Sequence, residues 1–171
     1  MIRPTIRLER SGDEMAISAL TTAAFEKAPH ADGNEAEIVE RLRADGDLAL
    51  SLVATNADEA IVGQITFSPV RITTSYGTVT NGWYGLGPVS VIPTNQNTGI
   101  GALLIDRGIA EMVARKAKGI VLLGDPAYYA RFGFAPDSRL TYSAAAPEYF
   151  QTLPLAGDVP TGEVAYAPAF G

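Results

Sequence analysis

Between Tyr84 and Ile105 the chain reads as a strand that cannot pair along its whole length, then a polar loop, then a helix that begins on glycines. Tyr84 to Ile92 is apolar enough for a strand, but Gly85, Gly87 and Pro88 interrupt it, and such residues inside a strand mark an edge or a bulge. After Pro93 and a short polar loop, Gly99 to Lys118 spells a helix, with Ala102, Ile105, Ile109, Met112 and Val113 on one face. Gly119 stops it, and Ile120 to Leu123 is a short apolar run that suits a central strand. A strand–helix–strand unit in one sheet is a right-handed parallel crossover. The chain is therefore expected to be an α/β protein.

The preceding half reads as antiparallel. Ile6 to Glu9 alternates like a short strand, and Ser11-Gly12-Asp13-Glu14 reads as a capping box, with Ser11 as the cap and Glu14 reaching back. Ile17, Leu20 and Ala24 give the first helix its apolar face. Phe25 to Gly33 is a loop, and Asn34 is placed to cap a second helix that turns Ile38, Val39 and Leu42 inward. Leu48 to Thr55 and Ile61 to Thr73 read as strands, joined by an Asn56-Ala-Asp-Glu turn; hairpins are the economical connection. Asp125-Pro126 opens a short helix as cap and first residue, and Gly133 closes it. Beyond Pro136 the chain is rich in Ala, Pro and Tyr, with Val164 to Phe170 its best strand candidate. No repeat or linker divides the 171 residues, so a single domain is expected, with a core over about residues 4–136 and C-terminal strands and a tail over 137–171.

Composition removes several chemistries. With no cysteine there is no disulfide, thiolate metal site or cysteine nucleophile. One histidine, His30, does not build a metal site alone. A net charge of −6 argues against nucleic acid as the main partner and suits a cationic substrate. The opening MIRPTIRLER lacks the apolar stretch of a signal peptide, and no run reaches membrane-spanning length. A cytoplasmic protein without a membrane partner is expected.

The glycine loop has the chemistry of an anion cradle. Backbone N–H groups at a helix start lack intrahelical partners and point outward at the positive end of the dipole. Glycines remove the Cβ atoms that would hold a phosphate away. A tight turn with no ligand is the alternative. Gly101-Ala102 lacks the Lys-Ser/Thr of a Walker loop, and Gly99 comes seven residues after Ile92, too late for a dinucleotide fingerprint.

A third cradle fits. Gln96-Asn97-Thr98-Gly99-Ile100-Gly101 resembles the Gln/Arg-x-x-Gly-x-Gly/Ala signature of the GNAT family of N-acetyltransferases. Gly87-Pro88-Val89-Ser90-Val91 resembles that family's bulged fourth strand, and the stretch from Leu123 to Phe134 its fifth strand and following helix. The resemblance covers about residues 4 to 136. It implies a mixed, mostly antiparallel sheet flanked by helices, with a splayed parallel pair of strands around a strand–loop–helix cofactor site. It also implies acetyl-CoA as co-substrate. Backbone groups of Val89, Ser90 and Val91 would hold the pantetheine arm, and the loop Gln96, Asn97, Thr98, Gly99, Ile100, Gly101 and Ala102 the pyrophosphate.

The implied reaction is attack of a neutral amine on the acetyl thioester in a ternary complex, with a small-molecule or protein amine as acceptor and a monomer or homodimer as the working form. The N–H of Val91 would polarise the acetyl oxygen. Tyr129, four residues before Gly133, stands where many relatives carry a tyrosine near the sulfur, and a phenol with a pKa near 10 is protonated at neutral pH and able to donate. Core packing is its alternative role. Relatives often use a strand glutamate as base, but Tyr84 to Ile92 holds no carboxylate. Glu35, Glu37 and His30 are the other candidates, each with a simpler reading as a helix-start charge or a surface residue. The aromatic residues near 142 to 170 suit either an acceptor pocket or the core. A non-catalytic acetyl-CoA or CoA sensor of the same fold is the competing function.

Overall fold

A computed structural model describes residues 3–29 and 31–171. The chain forms two compact units, one from residues 1–67 and 87–110, the other from 68–86 and 111–171. The sheet is mixed and mostly antiparallel, with helices about it and two parallel pairings among the described residues, the longer of them central.

In the first unit, β1 (Thr5–Leu8) pairs antiparallel with β2 (Leu50–Thr55), and β2 with the first half of β3 (Ile61–Thr73). Both helices that follow β1 bury one stripe. Ile17 of α1 (Glu14–Phe25) and Val39 of α2 (Glu35–Asp45) close on Val53 and Ile61. Burying each such aliphatic side chain contributes about 1.5–3 kcal/mol. The starts of these helices differ from the sequence expectation. Helix α1 begins at Glu14, not after Ser11, because Gly12 turns the chain at φ +101° and the Asp13 carboxylate accepts from Arg7 at 2.8 Å. Glu14 still reaches back, to the Gly12 N–H at 2.8 Å. At α2, Asn34 makes no side-chain cap; Glu35 accepts from the N–H groups of Asp32 and Gly33 instead. A polar chain fastens the unit: Arg43 donates to Glu9 at 2.8 Å, Ser51 donates to Glu9 at 2.9 Å, and Gln64 donates to Ser51 at 2.9 Å.

Strand β4 (Val79–Val91) starts five residues earlier than its apolar run, because Gly82 and the polar residues before it still extend. Its last residues, from Gly87, and the first eleven residues of α3 (Ile100–Ala114) belong to the first unit. The buried face of α3 is offset from the expected one. Val113 is 55% exposed, whereas Leu104 and Gly108 are buried. Gly108 decides this: a Cβ there would lie 2.5 Å from the Phe67 ring, so the helix approaches β3 along its glycine.

In the second unit, β4 pairs parallel with β5 (Gly119–Leu123) over Trp83–Gly119, Tyr84–Ile120 and Gly85–Val121. On its other edge β5 pairs antiparallel with β7 (Phe150–Pro154). The end of β3 pairs with β8 (Gly162–Ala165), and β8 with the short β6 (Leu140–Thr141). Strand β7 has no counterpart in the sequence expectation. Its proline-bounded FQTLP is held by antiparallel pairing along the whole of β5 rather than by its own pattern, with Phe150, Gln151 and Thr152 all buried. The strand expected over Val164 to Phe170 ends at Ala165, and Pro168 to Phe170 makes a tight helical turn. Val70, Ile72, Trp83, Val121, Leu140, Phe150 and Val164 form this unit's core.

Candidate functional site

Strand β4 builds the first part of the site. Its parallel pairing ends at Gly85, and β4 then continues six residues to Val91. Gly87, at φ +134°, and Pro88 interrupt the strand where the pairing stops. The N–H of Ile92 donates to Val62 O at 2.9 Å, toward β3. Successive residues of a strand alternate the edge their backbone groups face, so the N–H groups of Val89 and Val91 point to the opposite edge. The side chain of Ser90 turns inward, 1% exposed, and donates to Thr21 of α1 at 3.5 Å. Thr21 in turn donates to Ile17 O at 2.7 Å. What Val89 and Val91 offer outward is therefore backbone, together with their half-exposed side chains, whereas Ser90, with the parity of Ile92, turns its backbone groups toward β3.

Val89, Val91 and Gln96 face Ala23, Phe25 and Lys27 across a cleft of about 610 Å³ within the first unit. The wall from α1 carried no signal in the sequence, because only packing through Ser90 and Thr21 sets it opposite β4.

The loop after β4 is shaped by its own polar groups. Pro93–Asn95 makes one tight turn, the Gln96 amide donates to Val91 O at 3.0 Å, and Thr98 donates to Asn95 O. Asn97 at φ 63° and Gly99 at φ +90° reverse the chain into α3. Leu103 N donates to Gly99 O at 3.1 Å, the first bond of the helix. The N–H groups of Gly99, Ile100, Gly101 and Ala102 are thus those with no partner inside the helix. A Cβ on Gly99 would meet nothing within 4 Å, so the space before the helix start is open. The residues from Gln96 to Ala102 are brought together in one exposed turn, with Ile100 alone buried beneath it.

Tyr129 lies in the second unit, at the end of the single turn α4 (Pro126–Tyr129). Asp125 caps that turn, accepting from Ala127 N at 2.9 Å, which accounts for its carboxylate. The Tyr129 ring meets Tyr128 edge-on at 5.0 Å and Phe134 at 6.0 Å. It lies directly on Gly124, where a Cβ would come 2.3 Å from the ring. Gly124 is a requirement that sequence reasoning missed, since no spacing rule says where a ring five residues on will rest. Burial, and secondarily the neighbouring Tyr128, push the Tyr129 hydroxyl up from 10.0 to about 12. The phenol thus holds its proton across the neutral range and is able to donate it. Tyr128 has a different engagement: the Arg131 guanidinium sits 4.5 Å from its ring centre, and Arg131 donates to its carbonyl.

Glu35 is spent on the turn before α2. Glu37 sits in the first turn of that helix, and His30 lies outside the described residues. Among the described residues, no helix is long and apolar enough to cross a membrane.

Comparison with known proteins meets this geometry. The family described as acetyltransferase (GNAT) domain matches residues 5–136. The uncharacterised N-acetyltransferase YhbS of Escherichia coli K12 is 36% identical over 129 residues, which are 75% of this chain and 72% of that protein. The crystal structure of a GNAT family acetyltransferase from Brucella melitensis in complex with acetyl-CoA superposes with a TM-score of 0.84 at 45% identity, covering 100% of both chains. That of Escherichia coli YhbS in complex with CoA gives 0.88 at 32% identity, covering 99% of this chain and 93% of that one.

Proposed function

Since the chain belongs to the GNAT family of acetyltransferases, we propose that it moves the acetyl group of acetyl-CoA to an amine by direct attack in a ternary complex. The observation that carries this reading is the β4 edge. Pairing with β5 stops at Gly85, and the outward backbone of Val89 and Val91 leads within one compact unit to the glycine-opened start of α3. An extended pantetheine arm matches the first feature by adding as a strand. A pyrophosphate matches the second, through N–H groups at the positive end of a fifteen-residue helix.

The chemistry asked of the chain is small. The acceptor ammonium loses a proton to water, the amine forms a C–N bond to the acetyl carbon, the C–S bond breaks, and CoA leaves as the thiol. The Val91 N–H stabilises the charge developing on the acetyl oxygen. The Tyr129 hydroxyl supplies the proton that the departing sulfur takes up, and is restored by the second proton that the nitrogen sheds as it becomes the amide. Solvent receives the ammonium's proton, because β4 carries no carboxylate between Tyr84 and Val91.

The test has two arms. Thermal shift is expected to show stabilisation by acetyl-CoA and none by NAD; stabilisation by NAD alone overturns the proposal. Free thiol is then followed with acetyl-CoA and a panel of amines. Amine-dependent release is expected, whereas binding without release from any amine would make the chain a sensor.

A further inference from the structure

The C-terminal segment, which the family match at residues 5–136 does not reach, builds a cleft of its own in the second unit. The cleft measures about 920 Å³, near the upper end for small-molecule sites. Leu140, Tyr142 and Phe150 form its apolar floor, with Pro136 and Pro147 beside them. The Tyr142 and Phe150 rings are stacked, 5.5 Å apart at 29°. Tyr142 is braced on its other side by Tyr166 at 5.2 Å.

The charged groups on the cleft are all acidic. Asp137, Glu148 and Glu163 line it, and no lysine or arginine does. Asp137 is already engaged, accepting from Arg139 at 2.7 Å. The carboxylates of Glu148 and Glu163 have no hydrogen-bond or ion-pair partner among the described residues. An aromatic floor beside two uncompensated carboxylates is complementary to a cation with a flat apolar body. The rings supply apolar area to the flat body and the carboxylates hold the charge, and the chain's net charge of −6 favours its approach.

The cleft also lies at the right end of a strand. Phe150 pairs with Leu123, the last residue of β5, and Gly124 N donates to Tyr149 O at 2.9 Å. The same β5 end leads through Asp125 into the turn that carries Tyr129.

We propose that this cleft binds organic ammonium ions with a flat apolar body, and that these are the acceptors. The inference rests on the acetyl-transfer reading and narrows its acceptor class. Atoms balance as in that reaction: the bound ammonium gives one proton to water, and the amine becomes an amide as the thiol is released.

Calorimetry without acetyl-CoA tests the cleft by itself. The probes are 2-phenylethylammonium, its neutral analogue 2-phenylethanol, and methylammonium. The first is expected to bind at least roughly tenfold more tightly than either of the others, since each supplies only half of the match. The double variant Glu148→Gln, Glu163→Gln is expected to lose about fivefold or more of that affinity, and to lose its salt dependence. Both positions are exposed, so the fold is retained; Tyr142→Leu is a second variant that removes ring area from the floor of the cleft. Equal binding of the alcohol, or affinity unchanged in the double variant and in Tyr142→Leu, overturns the cleft. Thiol release separates the two readings. If 2-phenylethylamine is acetylated with a KM that the variants leave unchanged, acetyl transfer stands and the cleft is wrong. If charge-dependent binding is present but no amine releases thiol, the cation site stands and the acetyl-transfer reading falls.

Discussion

The loop after β4 and the turn after β5 do their work with different parts of the chain. From Val89 to Ala102 the groups proposed to bind are backbone N–H and C=O, while Ser90 turns inward, Gln96 and Thr98 brace the loop, and glycines leave it open. Around Tyr129 the group proposed to act is a single side chain, set by rings and by the space over Gly124. The first arrangement tolerates most substitutions that keep the backbone path and add no bulk. The second fails with one atom. This contrast predicts which variants lose binding and which lose turnover.

The largest effect is expected at Tyr129. Tyr129→Phe removes one proton donor and almost no volume, so single-turnover rates should fall roughly a hundredfold to ten-thousandfold, with acetyl-CoA affinity nearly unchanged by calorimetry. Tyr128→Phe is the matched control, because its ring packs with Arg131 and it is expected to keep most activity. Wild-type turnover in Tyr129→Phe would return that residue to packing alone.

Gly101→Val attacks the other side of the comparison. A branched side chain at the helix start should weaken acetyl-CoA binding roughly tenfold to a hundredfold, the worth of one or two backbone hydrogen bonds to a charged group. The unfolding midpoint should stay close to wild type, since this half-exposed position is not in the core. Unchanged affinity would mean that the loop is only a turn.

Gly124→Ala sharpens the contrast by moving a side chain without touching it. Gly124 has no positive φ, so alanine strains nothing locally; its Cβ only displaces the Tyr129 ring. Turnover should drop about tenfold or more, because misplacement of a catalytic group by an ångström is that costly. In a Tyr129→Phe background the same substitution should have little further effect on rate. Additive losses in that double-variant cycle would break the link between the two residues.

The smallest effect concerns stability at high pH. Tyr129 ionises near 10 when unfolded and near 12 when folded, so the folded state holds a proton that the unfolded state has released. That contribution is complete below pH 10 and is lost as pH rises toward 12, amounting to no more than about 3 kcal/mol. Denaturant midpoints measured from pH 9 to 11.5 should fall, and Tyr129→Phe should flatten part of that fall. An identical slope in both proteins would place the pH dependence elsewhere.

Much of the site's backbone half was legible in the sequence, because its signals are local. Gly87 and Pro88 interrupt the pairing of β4 through a positive φ and a missing donor, and Gly99 permits its own reversal; Gly85 instead stays in register with β5 and makes room for the Tyr166 ring. Asp125-Pro126 caps and opens its turn within three residues. The capping box at Ser11 failed for a reason that is not local: Asp13 is held by Arg7, across the end of β1.

The side-chain half depended on tertiary structure. The α3 face could not be read correctly, since Gly108 becomes buried only because Phe67 from another strand fills its space. Tyr129 could be named but not placed, because its seat is the missing Cβ of Gly124. The C-terminal cleft was further out of reach. Strand β7 owes its existence to pairing with β5, and the stack of Tyr142 on Phe150 joins residues from segments with no shared period. The sequence by itself therefore determined the strand–loop–helix, through dihedral preferences and helix-end chemistry that act within a few residues, and carried the motifs by which the chain resembles its family. Only the tertiary structure decided which rings face which glycines and which carboxylates remain unpaired, because those are outcomes of packing between distant parts of the chain.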